Sequence, residues 1–420
     1  VGVNAAIFDE FASFVSPGKV RVLREHGIEF PIGRREGPFV WDAEGRRRLI
    51  DCHCNGGTFN LGHRNPAIVA ALREALERLD IGNHHFPSEP KARLARRLAE
   101  LAPGNLHTAV FGSCGGESID LAIKVARRAT GRRRIVCARG AYHGHTGLAV
   151  AAGEEKFARP FLSDSPDFAK VPFGDLGALR EALREDTAAL LLETIPATLG
   201  MPLPPEGYLA GARALCAERG ALFIADEVQT GLGRTGRFWA VEHWGVEPDI
   251  LVTAKGLSGG IYPISAALLA PAVARVFEDD PWSHVATFGG ADLGCEVALA
   301  VLEISSAPGF LENVRRTGAR IAAGAEALAR EVPAAGLEEV RAKGSFIGLK
   351  FASEMAGPVL MRLCLQVGLL CFFAANDTSV LQVLPPLVAD DALADEIVAR
   401  LGEALRMLSG ASSPRWSGSQ

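Results

Sequence analysis

Three stretches of this chain carry side chains whose types and spacing could do chemistry. In "DILVTAKGLSGG", Lys255 ends an apolar run and precedes a glycine-rich loop. A lysine withdrawn from water there holds its proton less tightly, and its free amine is a nucleophile toward an aldehyde. In "ALFIADEVQTGLGRTG", Asp226 and Glu227 follow a second apolar run, at the edge where open α/β sheets present ligand-binding groups. One of the two reads as a solvated loop acid. The other suits a ring nitrogen that must stay protonated, through a charge-assisted hydrogen bond. In "GSCGGESIDLAIKVARRAT", small residues stand before a helix with an apolar stripe at Ile119, Ala122, Ile123 and Ala126. The amides of Gly115 and Gly116 at the positive helix end suit a phosphate, with Ser113 adding a hydroxyl. Taken alone, that stretch is also a plain helix cap, and its spacing fits neither GxGxxG nor GxxxxGK[ST].

Taken together, a lysine amine, an acid and a phosphate cradle are the three handles that pyridoxal 5'-phosphate (PLP) requires, for its aldehyde, ring nitrogen and phosphate.

The elements that must position these groups alternate between strand and helix. "RRIVCAR", "TAALLLETI", "ALFIADEV", "DILVTAKG" and "ISAALLA" read as strands, with helices at "LGALREALRED" and "GYLAGARALCAERG" between some of them. Continuous apolar strands want helices on both faces, which predicts a mostly parallel α/β sheet. We expect an N-terminal segment over 1–53, with two short strands around a turn at 42–45, that contributes to the small domain and the dimer. A large α/β domain follows over 54–305, then a smaller α+β C-terminal domain over 306–408 and a disordered tail over 409–420.

The chain has 420 residues, 48% hydrophobic and 22% charged, with a formal net charge of -5. That balance argues against disorder and against a partner held by its phosphate backbone, so no nucleic acid is expected. No stretch reaches the roughly 18 apolar residues of a membrane span, so no membrane partner and a soluble cytoplasmic protein are expected. The eight cysteines are scattered. Cys52 and Cys54 in "DCHCNGG" read as free thiols near a strand end, and no metal is expected.

In "LFIADEVQTGLGRTG", "VTAKGLSGG", "TFGGADLGCEVALAVLE" and "AYHGHTG" the sequence resembles the class III aminotransferases, fold type I PLP enzymes that include acetylornithine, ornithine and ω-amino acid aminotransferases. The resemblance spans nearly the whole length. It implies that Lys255 bonds the cofactor aldehyde and that Asp226 partners the ring nitrogen. Tyr142 would cover one ring face with His143 beside it, Val228 would pack on the other, and Gln229 would lie near the ring's 3-hydroxyl. Glu193 would hydrogen-bond near the ring, while Ser113, Cys114, Gly115 and Gly116 form the phosphate loop. Cys114 stands where relatives carry serine, so one hydroxyl donor is lost. Thr287 would reach the phosphate in a neighbouring subunit, implying a homodimer with shared active sites.

Two positions depart from that pattern. Relatives that act on amino acids carry an arginine ahead of a double proline, paired with the substrate α-carboxylate; counted back from Pro385, this chain has Gln382. An amide lacks the charge and the rigid fork of a guanidinium. Thr198 in "ETIPATLG" stands where glutamate-using relatives carry a gating glutamate. Arg341 offers either a compensating cation or a structural salt bridge. His84, His85 and Phe86, with Gln382, are the substrate-binding candidates, and Gln382→Arg is expected to improve binding of α-carboxylates.

The expected activity is transfer of an amino group from a primary amine or ω-amino substrate to a carbonyl acceptor, in a ping-pong sequence. A racemase or epimerase, an aminomutase or a phospho-lyase of the same fold remains the alternative, because all begin with the same two groups.

Overall fold

The computed structural model describes residues 2–278 and 280–410. At its centre lies a seven-stranded sheet built from β4 (Thr108–Gly112), β5 (Arg134–Ala138), β6 (Phe168–Val171), β7 (Thr187–Glu193), β8 (Leu222–Asp226), β9 (Ile250–Thr253) and β10 (Ser265–Leu269), in the order β4-β10-β9-β8-β7-β5-β6. β5 pairs in parallel with β6 and β7, as do β7 with β8 and β8 with β9; β10 alone runs antiparallel to its neighbours. Every residue of β7, β9 and β10 is buried, as strands covered on both faces must be.

The helix Gly115–Thr130 shows how the sequence sets one such cover. Cys114 takes the extended N-cap conformation, Ile119, Ala122, Ile123 and Ala126 are buried, and Gly131 at φ 66° closes the far end. A left-handed stop of that kind costs glycine least.

Two further sheets complete the chain. β1 (Ile32–Glu36), β2 (Phe39–Asp42) and β3 (Arg48–Asp51) form a ribbon that β13 (Leu369–Leu370) extends in parallel. The N-terminal strands are thereby joined to the C-terminal part of the chain. There, β11 (Leu337–Lys343), β12 (Phe346–Phe351), β14 (Phe372–Ala374) and β15 (Asp377–Val383) pair antiparallel in the order β11-β12-β15-β14. The helices Phe310–Glu331, Ala356–Gln366 and Asp391–Gly410 bury their apolar faces in this part of the molecule.

Arg234 is buried at the junction of the three regions. Its Nη1 donates to the carbonyls of Ser345 (3.2 Å) and Pro385 (2.5 Å), and its Nη2 donates to Asn60 Oδ1 (2.6 Å).

Several expectations change in detail. β4 and β6 are strands that the sequence pattern did not announce. The last helix runs to Gly410, past the expected end of the small domain at 408; the remainder of the expected tail, 411–420, lies outside the described residues. Cys52 and Cys54 are buried free thiols, but Cys54 is not extended: residues 54–57 all have positive φ, from 48° to 99°.

Candidate active site

Three of the chemically distinctive residues and the start of one helix stand at the same edge of the large sheet. Glu193 is the last residue of β7 and Asp226 the last of β8, side by side in register. Lys255 follows β9 by two residues, and the helix Gly115–Thr130 begins three residues after β4. A cavity of about 160 Å³ is lined by Gly115, Gly116, Tyr142, Glu193, Asp226 and Lys255, among others. A second lobe of about 310 Å³ shares Gly115 and Lys255 with it and adds Ser113 and Cys114.

Lys255 adopts φ 40°, a left-handed backbone that costs a side-chain-bearing residue on the order of 1 kcal/mol or more. Its Nζ donates to Gln229 Oε1 at 2.8 Å. Burial draws its ammonium below the ordinary lysine range, against the opposing pull of Asp226 and Glu193. The amine is therefore deprotonated more readily than that of a surface lysine.

Asp226 and Glu227 are neighbours with opposite situations. The expected solvated acid of the pair does not exist, because Glu227 is buried. Its oxygens accept from Thr194 Oγ1 (2.6 Å), Thr230 Oγ1 (2.7 Å), Ala240 N (3.0 Å) and Val241 N (2.9 Å). Four donors converge on one carboxyl, which leaves it holding loops together. Asp226 lines the cavity, with Oδ1 accepting from Val228 N (3.0 Å) and Oδ2 from His143 Nδ1 (2.8 Å). His143 Nε2 is buried without a partner.

Glu193 accepts from the backbone N–H of Tyr142 (2.9 Å) and of Ala197 (3.3 Å). Burial pushes its carboxyl up to about 7, with His143 opposing and Asp226 adding to the rise. The Tyr142 ring is half-buried and meets His145 and Phe157 edge-on, with centroids 5.4 and 5.7 Å away.

At the helix start, a side chain at Gly115 would come within 3.1 Å of Val228, and one at Gly116 within 2.8 Å of Thr146 Oγ1. Only bare backbone fits there. The Thr146 hydroxyl is buried without a partner, close to these first helical amides. Ser113 differs from expectation: its N–H (2.6 Å) and its Oγ (2.7 Å) both donate to Glu117 Oε2. A hydroxyl has one proton, so the donor beside the cradle is Thr146, which sequence reasoning passed over inside "YHGHTG". Cys114 is exposed at the N-cap.

These residues fit PLP. A carboxylate anchored by an imidazole is present for the ring nitrogen, a lysine with reduced basicity for the aldehyde, and a narrow glycine cradle with an unspent hydroxyl for the phosphate.

The substrate-binding candidates lie elsewhere. Gln382 is only 5% exposed, paired within its sheet opposite Gly348 and Phe372, and its Nε2 donates to the carbonyl of Ala197 at 2.8 Å. It lines neither lobe, and its amide is committed to backbone. Arg341 bonds Glu339 (2.8 Å) and the Gly200 carbonyl (2.6 Å), the structural role. His84 and His85 stack at 4.0 Å, and His85 meets Trp282 at 5.2 Å. Phe86 is 71% exposed beside them in sequence, and Thr287 is also exposed, five residues beyond Trp282. None of these four lines the lobes that contain Lys255.

Residues 22–405 match the family described as aminotransferase class-III. The chain is 53% identical over 406 residues to an uncharacterized aminotransferase of Archaeoglobus fulgidus, covering 97% of this chain and 95% of that one. It is 34% identical over 426 residues to the putrescine aminotransferase of Pectobacterium atrosepticum, covering 97% and 90%. The crystal structure of the ornithine aminotransferase from Toxoplasma gondii superposes with a TM-score of 0.88 at 28% identity, covering 97% of this chain and 96% of that one. The chain belongs to the class III aminotransferases, and is thus a PLP-dependent aminotransferase of fold type I.

Proposed function

We propose that this aminotransferase takes its amino group from a primary amine or ω-amine, with no dependence on a substrate α-carboxylate, and passes it to a carbonyl acceptor in a second half-reaction. The observation that carries this reading is the commitment of Gln382 to the Ala197 carbonyl and of Arg341 to Glu339 and Gly200. Of the residues lining the two lobes, Lys255 is the only cation. A buried carboxylate without a guanidinium partner would lose a charge-assisted pair, a difference of roughly 2 to 5 kcal/mol. The 34% identity to a putrescine aminotransferase, whose named substrate bears two amines and no carboxylate, supports the same reading.

The residues divide the work by position. When bound, PLP supplies an electron-accepting cationic ring next to the carbon that gains or loses the amino group. Asp226 would hold the ring nitrogen's proton, and the imidazole of His143 holds Asp226 in place. With PLP in place, Lys255 would be the base whose Nζ moves a proton at the substrate carbon. Gln229 Oε1 accepts from that amine and would hold it beside the site. Tyr142 and Val228, which line the cavity, would limit water at the two ring faces.

The expected assembly is a homodimer. Phe86, Trp282 and Phe288 are exposed large apolar side chains, and Thr287, next to Phe288 in sequence, would be placed against the partner's cofactor.

Adding an amine to the holoenzyme without an acceptor tests the reaction. Conversion of the pyridoxal to the pyridoxamine form, with release of the carbonyl product, is expected. Entry of solvent deuterium into recovered substrate without conversion would instead identify a racemase, and release of phosphate a lyase.

A further inference from the structure

The two-residue tip of the β14–β15 hairpin, Ala375 and Asn376, reaches from the small sheet to the loops that carry two cofactor-site residues. Asn376 Nδ2 donates to the carbonyl of Gly140 (2.7 Å) and to Thr198 Oγ1 (3.3 Å), and its backbone N–H donates to the carbonyl of Thr198 (2.8 Å). Thr198 Oγ1 donates in turn to Gly140 O (3.3 Å). Gly140 lies two residues before Tyr142, and Thr198 lies five after Glu193. The two loops therefore meet at one carbonyl, and the small domain holds it.

The same strip of loop is held at two more points, by Gln382 at Ala197 and by Arg341 at Gly200. All three are small-domain side chains donating to large-domain backbone. Asn376 differs from the others in binding both loops at once. Its Oδ1 is buried without a partner, so the amide is held there for its N–H groups. Turning the amide over would set Oδ1 against the Gly140 carbonyl, oxygen to oxygen, which fixes the orientation.

We infer that Asn376 is a positioning residue for the cofactor site: through Gly140 and Thr198 it sets where Tyr142 and Glu193 stand against the ring. Gly140 N donates to Glu154 (2.7 Å), which anchors the peptide before Gly140 within the large domain, so Asn376 governs the peptide that follows, between Gly140 and Ala141. Placement errors of about 1 Å in groups that orient a reacting centre can cost as much as 10²-fold in rate. The inference concerns the ring's surroundings and is independent of which amine is the donor.

The test uses the holoenzyme and three variants. Asn376→Ala removes both side-chain donors. Thr198→Val removes the bridging hydroxyl from the other side and leaves the hairpin intact. Lys156→Met cuts a different tie to the same hairpin, the bond from Lys156 Nζ to the Ala375 carbonyl (2.6 Å), and removes no hydrogen bond to either loop. Visible circular dichroism of the bound cofactor, taken without substrate, reports the tilt of the ring. We expect a changed visible spectrum in Asn376→Ala and Thr198→Val and an unchanged one in Lys156→Met, with the amine half-reaction slowed roughly tenfold or more in Asn376→Ala. Because both substitutions break one bridge, their effects combine to less than their sum. A wild-type spectrum in both loop-directed variants overturns the assignment. So does the same spectral change in Lys156→Met, which would make the hairpin merely structural.

Discussion

The carboxyl edge of the large sheet and the small sheet facing it both present polar side chains near the cofactor site, and they treat them in opposite ways. At the large sheet, Lys255 and Asp226 line the cavity, and His143 Nε2 and Thr146 Oγ1 are buried with no partner. Polar atoms left unspent in a folded chain are costly, on the order of 1 to 3 kcal/mol each, and these two belong to residues in or against the cavity wall, where a ligand can use them. At the small sheet, Gln382, Asn376 and Arg341 all donate to backbone carbonyls of the facing loops. Those residues hold the site's shape. The contrast teaches that proximity to the site in sequence motif is no guide to what a side chain addresses; its hydrogen-bond partner is.

Lys255→Ala gives the sharpest break, because it removes the only amine in the cavity. Turnover is expected to fall by at least about 10⁴-fold, with cofactor still bound non-covalently, as read by single-turnover spectra and dialysis. Asp226→Asn should cost roughly 10² to 10³ in the half-reaction rate with little change in melting temperature. Glu227→Gln should do the reverse, because four donors converge on that carboxyl: a lower melting temperature and a nearly unchanged rate. If the two substitutions behaved alike, the distinction between a ligand-facing and a loop-holding carboxyl would fail.

That distinction also shows what the sequence made legible. Lys255 and Asp226 end apolar runs that only a buried parallel strand explains, so type and placement could both be read. The central strands β7, β8 and β9 declared themselves through unbroken apolar runs. β4 and β6 did not, for although they are no shorter than β8 and β9 their residues are less completely buried. His143's bond to Asp226 spans 83 positions, Gln382's to Ala197 spans 185, and Asn376's to Gly140 spans 236. No local pattern encodes such pairs. Gln382 was legible as a departure from related proteins, while its use of the amide depended on a loop nearly half the chain away.

Glu193 offers a subtler probe. Its carboxyl is pushed from an ordinary value of 4.5 up to about 7, so the folded state holds this proton more tightly than the unfolded chain. The stability it contributes is complete below the unfolded value and is lost as pH rises through about 7. Glu193→Gln keeps a neutral group at all pH values. Its apoenzyme should therefore gain melting temperature over the wild type between about pH 5 and pH 8. Equal pH slopes for the two proteins would place the proton elsewhere.

The smallest expected effect is at Gln382, and it corrects the expectation raised by the sequence. Because the position is buried and its amide already holds Ala197, Gln382→Arg should lower the melting temperature while changing the preference for carboxylated amines by less than about threefold. A gain of tenfold or more for α-carboxylate substrates would return Gln382 to the substrate pocket.

Putrescine and ornithine present the same ω-amine on the same length of chain and differ by one α-carboxylate. Their kcat/KM ratio, measured in the amine half-reaction on the wild-type holoenzyme, tests the central claim most directly. The account predicts that putrescine is used at least as efficiently as ornithine; a preference of tenfold or more for ornithine would show that the site contains a carboxylate clamp and would contradict it.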